Sequence, residues 1–282
     1  MPIYDQGYRR YEARGPLRTL RFWPITREAL RLVLSRRAFL GLLVVGWLPF
    51  VVRVIQIYIV TRFPEAGRVL PVDGRLFGEF LNGQLTILML LTIFGGAGLI
   101  ANDLRSGAIL VYLSRPLTRR DYVLGKLSVL LALNASVTLV PALLLYLIGL
   151  ALAPEQYLAW GLWWIAPAIL LHGTLICISI SLLSLAVSSL TKSARIAGLG
   201  FFGVFVGLEM ARGVLRNILD VRGATLLSLQ ADIRGIGNAL FGVTPRRWDA
   251  VAWPEAAAVL VGMGLLCLLL LRSRVRAVEI VT

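Results

Sequence analysis

The side chains best suited to chemistry gather in one polar segment, residues 102–126, which lies between two long apolar runs. Its Gly125 and Lys126 match the end of the phosphate-binding pattern G-x-x-x-x-G-K-[ST]. However, Arg120 occupies the first glycine position and Leu127 follows the lysine. Binding of ATP through such a loop is therefore not predicted. The segment combines charged side chains with turn-forming residues, which indicates a built contact surface rather than a simple connection.

The other reactive side chains are isolated within apolar runs. His172 is the only histidine, and no second ligand lies at metal-binding spacing from it, so we predict a packing or hydrogen-bonding role. Cys177 and Cys267 also lie in the middle of apolar runs, and we predict small packing residues rather than a disulfide framework. Because no cluster of nucleophile, base or metal ligands occurs, the sequence does not predict an enzyme.

Within the polar segment, residues 103–113 are predicted to form a short helix. One apolar face of this helix consists of Leu104, Ala108, Val111 and Tyr112. Pro116 ends the helix, because proline disfavours the helical conformation at the preceding Arg115. Thr118 then offers an N-cap with Asp121 three residues later, so a second helix should begin directly after the threonine.

The chain that positions this segment is strongly apolar. Of its 282 residues, 58% are hydrophobic and 16% are charged, and the mean hydropathy is +0.79. Soluble domains carry about 25% charged residues, and about 20 apolar residues cross a bilayer as a helix. We therefore predict an all-α polytopic membrane protein. Its six transmembrane helices are expected at residues 39–60, 84–101, 127–152, 163–190, 196–212 and 255–271.

The net charge of +14 comes largely from arginines near the ends of apolar runs, so nucleic-acid binding is not predicted. With the N-terminus inside, the inner segments hold 19 Lys and Arg residues and the outer segments hold nine. This bias predicts that both termini are cytoplasmic. The N-terminal segment 1–38 and the basic tail 272–282 then flank a six-span domain of residues 39–271.

Two amphipathic helices are predicted outside the spans. Residues 24–37 form an interfacial helix, with a frayed start of the first span as the alternative. Its apolar positions at helical spacing are Ile25, Ala29, Leu32 and Val33. In the outer loop, residues 213–254, a second apolar face consists of Leu226, Leu229, Ile233, Ile236 and Leu240. An alternative is a re-entrant pair of short helices, because another apolar cluster precedes this face at Val214, Leu215, Ile218 and Leu219.

Two charges lie inside the predicted spans, where each costs about 2.5–3.5 kcal/mol. Arg53 and Glu209 are expected at nearly equal depth, because each lies 13 or 14 residues into a span that runs outward. One hypothesis pairs them within or between protomers, and the alternative is that each snorkels to the outer interface. Gly203 and Gly207 form a G-x-x-x-G pattern that allows close helix packing, either within one protomer or against a second one.

The residue pattern of the polar segment resembles that of the type-2 ABC-transporter permeases. The pattern has an acidic residue, a glycine four positions later, Ser-x-Pro-apolar-Thr-Arg, and Gly-Lys before a span. Its members here are Asp103, Gly107, Ser114, Pro116, Leu117, Thr118, Arg119, Gly125 and Lys126. The six-span plan, with its amphipathic start and short helices before the last span, is also similar. The resemblance implies a transmembrane subunit of an ABC exporter in a bacterial-type plasma membrane.

The resemblance also implies roles for particular residues. Residues 102–126 are expected to be a coupling segment that docks on a separate ATPase. The expected contacts come from Asp103, Leu104, Gly107, Ala108, Val111, Tyr112, Arg115, Pro116 and Arg119. Two ATPase copies would hold ATP and Mg²⁺, and this chain would need no cofactor of its own. A homodimer is implied, with the first and fifth spans near its interface and Gly203 and Gly207 on the contacting face.

Other functions stay open at this point. The chain could be a membrane-embedded coupler in an ABC complex that does not itself carry substrate. A secondary transporter or channel would require paired carboxylates or broken helices near the midplane, and the sequence offers only Glu209 and His172 as acid–base candidates. The simplest alternative for residues 102–126 is a solvated loop that only sets topology.

Overall fold

The computed structural model describes residues 22–63, 65, 67, 72–108, 118–152, 162–219, 222–244 and 251–274, and nearly all of these residues are helical. No strand occurs within these ranges. Six helical segments are long and apolar enough to cross a membrane, which confirms the predicted all-α, six-span fold. The first to sixth spans are Arg37–Arg62, Gly74–Ser106, Arg119–Leu152, Leu162–Ser189, Ala194–Arg216 and Trp253–Arg274.

The second span is longer than predicted and is not one continuous helix. It consists of three helices, which are Gly74–Gly83, Leu85–Gly95 and Gly98–Ser106. The first of them begins ten residues before the predicted boundary at residue 84, because polar residues such as Arg75 and Glu79 lower the local hydropathy. Nevertheless Phe77 and Leu81 are fully buried, so this helix belongs to the core.

The fourth span lies at the centre of the bundle. Its most apolar part is 72% buried, whereas that of the first span is 11% buried and those of the fifth and sixth spans are 22% buried. A short 3₁₀ turn, Leu162–Trp164, precedes its α-helix, Ile165–Ser189. The third span packs against it and is divided at Thr138 into Arg119–Val137 and Leu139–Leu152. The second span is 67% buried and the third 33%, whereas the first, fifth and sixth spans are the most exposed.

A separate helix, Trp23–Leu34, precedes the first span, and we call it the N-terminal helix. Its inward face consists of Ile25, Thr26, Ala29 and Val33, whereas Leu32 is 57% exposed. Pro24 stands in its first turn, where the missing backbone N–H of proline costs nothing. Because the helix ends at Ser35 and the next begins at Arg37, it is not a frayed start of the first span.

Gly125 allows the N-terminal helix to approach the third span closely. The hydroxyl of Thr26 donates a hydrogen bond to the Gly125 carbonyl oxygen at 3.0 Å. A Cβ atom at Gly125 would lie 3.1 Å from Ile25 and 3.2 Å from the carbonyl oxygen of Phe22. The helix ends on either side of residues 109–117 lie at the same end of the bundle. We call this end the N-terminal face.

The connection between the fifth and sixth spans lies at the other end of the bundle. The fifth-span helix continues to Leu219. The apolar cluster at residues 214–219 therefore extends a continuous helix and does not form a separate short helix. A 3₁₀ helix, Arg222–Leu227, and an α-helix, Leu229–Leu240, follow, and we call the latter the loop helix. It packs on the fourth and sixth spans and on Gly74–Gly83.

The loop helix has clear sequence-encoded ends. Ser228 caps its start by accepting a hydrogen bond from the Ala231 N–H at 3.3 Å. Gly242 follows its end with a φ of 64°, a left-handed conformation that glycine adopts without strain. Of the predicted apolar face, the buried members are Leu229, Ile233 and Ile236.

Candidate functional site

At the N-terminal face the second span ends at Ser106, and Gly107 follows with a φ of 68°. A residue in the left-handed conformation ends an α-helix. Glycine is favoured at this position because most side chains are strained there. Asp103 and Leu104 therefore lie in the last turn of the second span. The predicted separate helix at residues 103–113 is wrong in this respect, since the helix that contains Asp103 begins at Gly98 and stops before Gly107.

The predicted coupling residues divide into two sets. Val111, Tyr112, Arg115 and Pro116 lie outside the described residues, so their docking role stays a prediction. Asp103, Leu104, Gly107, Ala108 and Arg119 are described. Of these, Leu104 packs partly against the core, and Arg119 is exposed at the start of the third span.

A buried ion pair joins the second and third spans at this face. The Nζ atom of Lys126 lies 2.8 Å from Oδ2 of Asp103, and the lysine is only 5% exposed. The fully buried Tyr122 donates its hydroxyl proton to the same carboxylate oxygen at 2.7 Å. The lysine ammonium also lies 5.7 Å from the centre of the Tyr122 ring. Three side chains from two spans thus form one polar cluster, the N-terminal clamp.

The start of the third span shows the capping arrangement that the sequence predicts. Thr118 accepts a hydrogen bond from the Asp121 N–H at 3.2 Å, and the Asp121 carboxylate accepts one from the Thr118 N–H at 3.0 Å. The prediction of a helix directly after Thr118 is confirmed, since the helix begins at Arg119. Residues 109–117 therefore connect two well-defined helix ends.

Arg53 and Glu209 do not pair with each other within this chain. Arg53 donates to the side-chain oxygen of Gln56 at 2.8 Å and lies 3.2 Å from a carboxylate oxygen of Glu79. Glu79 in turn contacts Arg75 at 2.8 Å. The hypothesis of an intramolecular pair is wrong, because the unpredicted helix Gly74–Gly83 brings a carboxylate to Arg53.

Glu209 has its own partners at the end of the fifth span. A carboxylate oxygen of Glu209 lies 2.7 Å from Arg212 and 3.1 Å from Arg234 of the loop helix. The hydroxyl of Ser228, the cap of that helix, donates to its other oxygen. This cluster ties the loop helix to the fifth span.

The small-residue face of the fifth span is open within the chain. A Cβ atom at Gly203 or Gly207 would meet no atom of the described residues within 4 Å. Packing of this face within the protomer, one of the two alternatives, is therefore wrong. Neighbouring Leu199 and Met210 are 70% and 67% exposed, so the face is apolar and accessible from the membrane.

A family model for the ABC-2 family transporter protein matches residues 34–267. The chain belongs to this family. It is therefore a multi-pass membrane permease of the ABC-transporter class, and this component is not itself catalytic. A comparison with curated proteins found no match.

His172 of the permease has a structural environment. Its ring is fully buried, and Nε2 lies 3.2 Å from the side-chain oxygen of Asn82. The edge of the ring packs against Phe241, with ring centres 5.9 Å apart. Among the described residues, no three His, Cys, Asp or Glu side chains form a group that could hold a metal ion.

Sequence reasoning missed the partners of the permease's charged side chains. Lys126 belongs to the recognised motif, but it pairs with a residue 23 positions earlier, Asp103. The signal in the sequence is that these opposite charges flank a segment that contains a proline. Glu79 and Arg234 were also missed, because they lie on helices outside the predicted spans. Arg212 was missed although it is the last residue of the predicted fifth span.

Asp232 of the loop helix is a buried carboxyl without a full set of partners. It is 1% exposed, and its Oδ1 atom has no hydrogen-bond partner among the described residues. Burial raises the pKa of the Asp232 carboxyl to about 7, because loss of water penalises the charged form. Since the raised pKa favours the protonated form, the loop helix packs best at low pH.

We expect Lys126→Met to destabilise the purified permease by about 3 kcal/mol, because it leaves the largely buried Asp103 carboxylate without its cation. Thermal unfolding followed by tryptophan fluorescence measures the loss. The double variant Lys126→Met with Asp103→Asn should lose less. Lys192→Met, at the only other lysine, which is exposed, is the matched control. Equal unfolding temperatures for the two single lysine variants would contradict the assigned role of the pair.

Asp232 gives the permease a specific pH dependence. The pKa of its carboxyl rises from 3.8 to about 7 on folding. Its contribution to stability is thus fully present below about pH 4 and is lost as the pH rises through 7. Asp232→Asn should reduce the pH dependence of the unfolding temperature between pH 5 and 8. It should also raise the unfolding temperature by a few degrees at pH 8. Glu255→Gln removes an exposed carboxyl and should keep the wild-type slope. An unchanged slope in Asp232→Asn would count against this assignment.

Proposed function

We propose that this chain is the transmembrane subunit of an ABC exporter and that a separate ATPase docks on residues 102–126. The observation that carries the proposal is the N-terminal clamp, in which Asp103 and Lys126 are 2.8 Å apart. These two residues bracket the segment that resembles the coupling segment of type-2 permeases. A force applied to that segment therefore reaches the second and third spans together.

Further contacts support transmission of such a force. Gly107 and the Thr118–Asp121 cap define the helix ends on either side of residues 109–117. One residue before Lys126, Gly125 contacts the N-terminal helix. The third span and the N-terminal helix would thus move as one body with the coupling segment. Binding of the ATPase would favour one of two arrangements of the spans through its different contacts in each.

The partners follow from this role. ATP and Mg²⁺ would bind to two ATPase copies rather than to this chain. The excess of Lys and Arg in the segments on the side of the N-terminus supports a cytoplasmic location for both termini. The docking segment would then face the compartment that contains ATP, in a bacterial-type plasma membrane.

The second permease subunit would be another copy of this chain. The open face at Gly203 and Gly207 supports this arrangement, because small residues allow two helices to approach closely in a membrane. The first span, which is also mostly exposed, would contribute to the same interface. A transport path would then lie between the two protomers.

Docking is tested with Tyr112→Ala in the permease co-purified with its partner ATPase. We expect at least a fivefold loss of ATPase binding or permease-stimulated ATP hydrolysis, since tyrosine is enriched among the interface residues whose truncation costs more than about 1 kcal/mol. The control is Trp253→Ala, at an exposed aromatic residue that begins the sixth span. If Tyr112→Ala and Val111→Asp both left binding and hydrolysis intact, the docking assignment would fail.

The dimer is tested with Gly207→Leu, because the side chain enters open space in the protomer but would separate two packed helices. We expect the dimer fraction in lipid bilayers, counted by single-molecule photobleaching, to fall about tenfold. Gly262→Leu of the sixth span also enters open space and is the matched control. Loss of dimers with the control but not with Gly207→Leu would place the interface on the sixth span instead.

A further inference from the structure

The second span is broken just before its last helix. The N–H groups of Gly96 and Ala97 both donate to the carbonyl oxygen of Thr92, at 2.7 and 3.0 Å. The N–H of Leu99 then bonds to the Gly96 carbonyl oxygen at 3.0 Å. This mixture of wide and tight turns interrupts the regular helical ladder, and such interruptions are common positions of bending. We call residues 96–97 the break.

A serine of another span bonds the backbone at the break. The hydroxyl of Ser188, in the central fourth span, accepts hydrogen bonds from the N–H groups of Ile100 at 3.2 Å and Ala101 at 3.1 Å. It also donates to the carbonyl oxygen of Ala97 at 2.7 Å. Ala97 has no side chain that could cap the helix that follows. Ser188 therefore acts as an N-cap supplied by a different helix.

Small residues around the break let other spans converge on it. A Cβ atom at Gly95 would lie 2.8 Å from Phe39 of the first span, and one at Gly96 would lie 2.6 Å from Leu130 of the third. Gly98 similarly leaves room for Ala194 of the fifth span, at 3.3 Å. Residues 95–98 are glycine or alanine, so the second span contributes no large side chain at the break itself. The hydroxyl of Ser188 supplies hydrogen bonds from another span to this position.

The helix beyond the break leads directly to the N-terminal clamp. Gly98–Ser106 carries Asp103, which pairs with Lys126 of the third span. This helix ends at Ser106, so its last turns belong to the proposed docking segment, residues 102–126. A displacement of that segment would therefore move the short helix Gly98–Ser106, whose other end adjoins the break.

We propose that the break is the hinge of the coupling movement and that Ser188 is the positioning residue that holds it in one of its two states. The proposal rests on the proposed function, because it requires an ATPase that moves residues 102–126. In the state observed here the three hydrogen bonds of Ser188 are formed. In the other state Gly98–Ser106 rotates with the clamp, and its first N–H groups leave the serine hydroxyl.

The test measures the movement in the complex of the full-length permease with its ATPase. Spin labels are placed at Arg105→Cys, on the exposed surface beyond the break, and at Lys192→Cys, in the turn after the fourth span. Both natural cysteines are buried, so they are poor sites for labelling. Distances are recorded by pulsed electron resonance without nucleotide and with ATP and vanadate. Ser188→Ala is compared with the wild type.

The control variant is Ser189→Ala. Ser189 is also buried, and within the described part of the chain its hydroxyl bonds only to the Ala186 carbonyl oxygen of its own helix. We expect nucleotide to change the ratio of two distance populations in the wild type. Ser188→Ala should shift that ratio about fivefold away from the observed state, which is the usual effect of a capping hydroxyl. Ser189→Ala should leave it unchanged.

The outcomes separate the hinge from the proposed function. If the complex forms and hydrolyses ATP but Ser188→Ala has the wild-type ratio in both conditions, the hinge is contradicted and the proposed function stands. An equal shift with Ser189→Ala would also contradict it, because the effect would then be general destabilisation. If the wild-type permease binds no ATPase, the proposed function fails and the hinge fails with it.

Discussion

The ion pair between Asp103 and Lys126 is the contact on which the N-terminal face depends. An ammonium group that is 5% exposed has lost most of its hydration, which costs several kcal/mol unless an opposite charge replaces the water. The carboxylate supplies that charge, and Tyr122 bonds to the same oxygen. Asp103 lies in the last turn of the second span and Lys126 lies seven residues after the start of the third, so their attraction fixes the two ends of the docking segment relative to each other.

The same cost of unpaired charge explains why helices outside the apolar runs pack into the bundle. The helix Gly74–Gly83 brings Glu79 to Arg53, and the loop helix brings Arg234 to Glu209. Each of these helices brings a charge of opposite sign to a charged side chain of a neighbouring span. The polar residues of these two helices lower the local hydropathy, so a hydropathy analysis misses the helices. The same residues pair with charges inside the spans and thereby reduce the cost of burying those charges.

Local signals in the sequence were sufficient for much of the fold. The apolar runs specify the six spans, and Thr118 with Asp121 specifies the start of the third, because both depend on residues that are close in sequence. The end of the second span was misjudged since the polar residues at 102–103 resemble a boundary, whereas Gly107 determines it. The clamp and the partners of Arg53 could not be predicted, because each depends on contacts between distant helices.

The strengths of these contacts determine where the bundle can move. Removing one partner of the buried Asp103–Lys126 pair costs about 3–5 kcal/mol, and the N-terminal helix buries a whole apolar face on the third span. A capping hydroxyl such as that of Ser188 contributes only about 1 kcal/mol. The fourth span, buried along most of its length, is the element least able to shift. We therefore expect a force on the docking segment to leave the clamp intact and to separate Gly98–Ser106 from Ser188, because a capping hydroxyl contributes less than the buried ion pair.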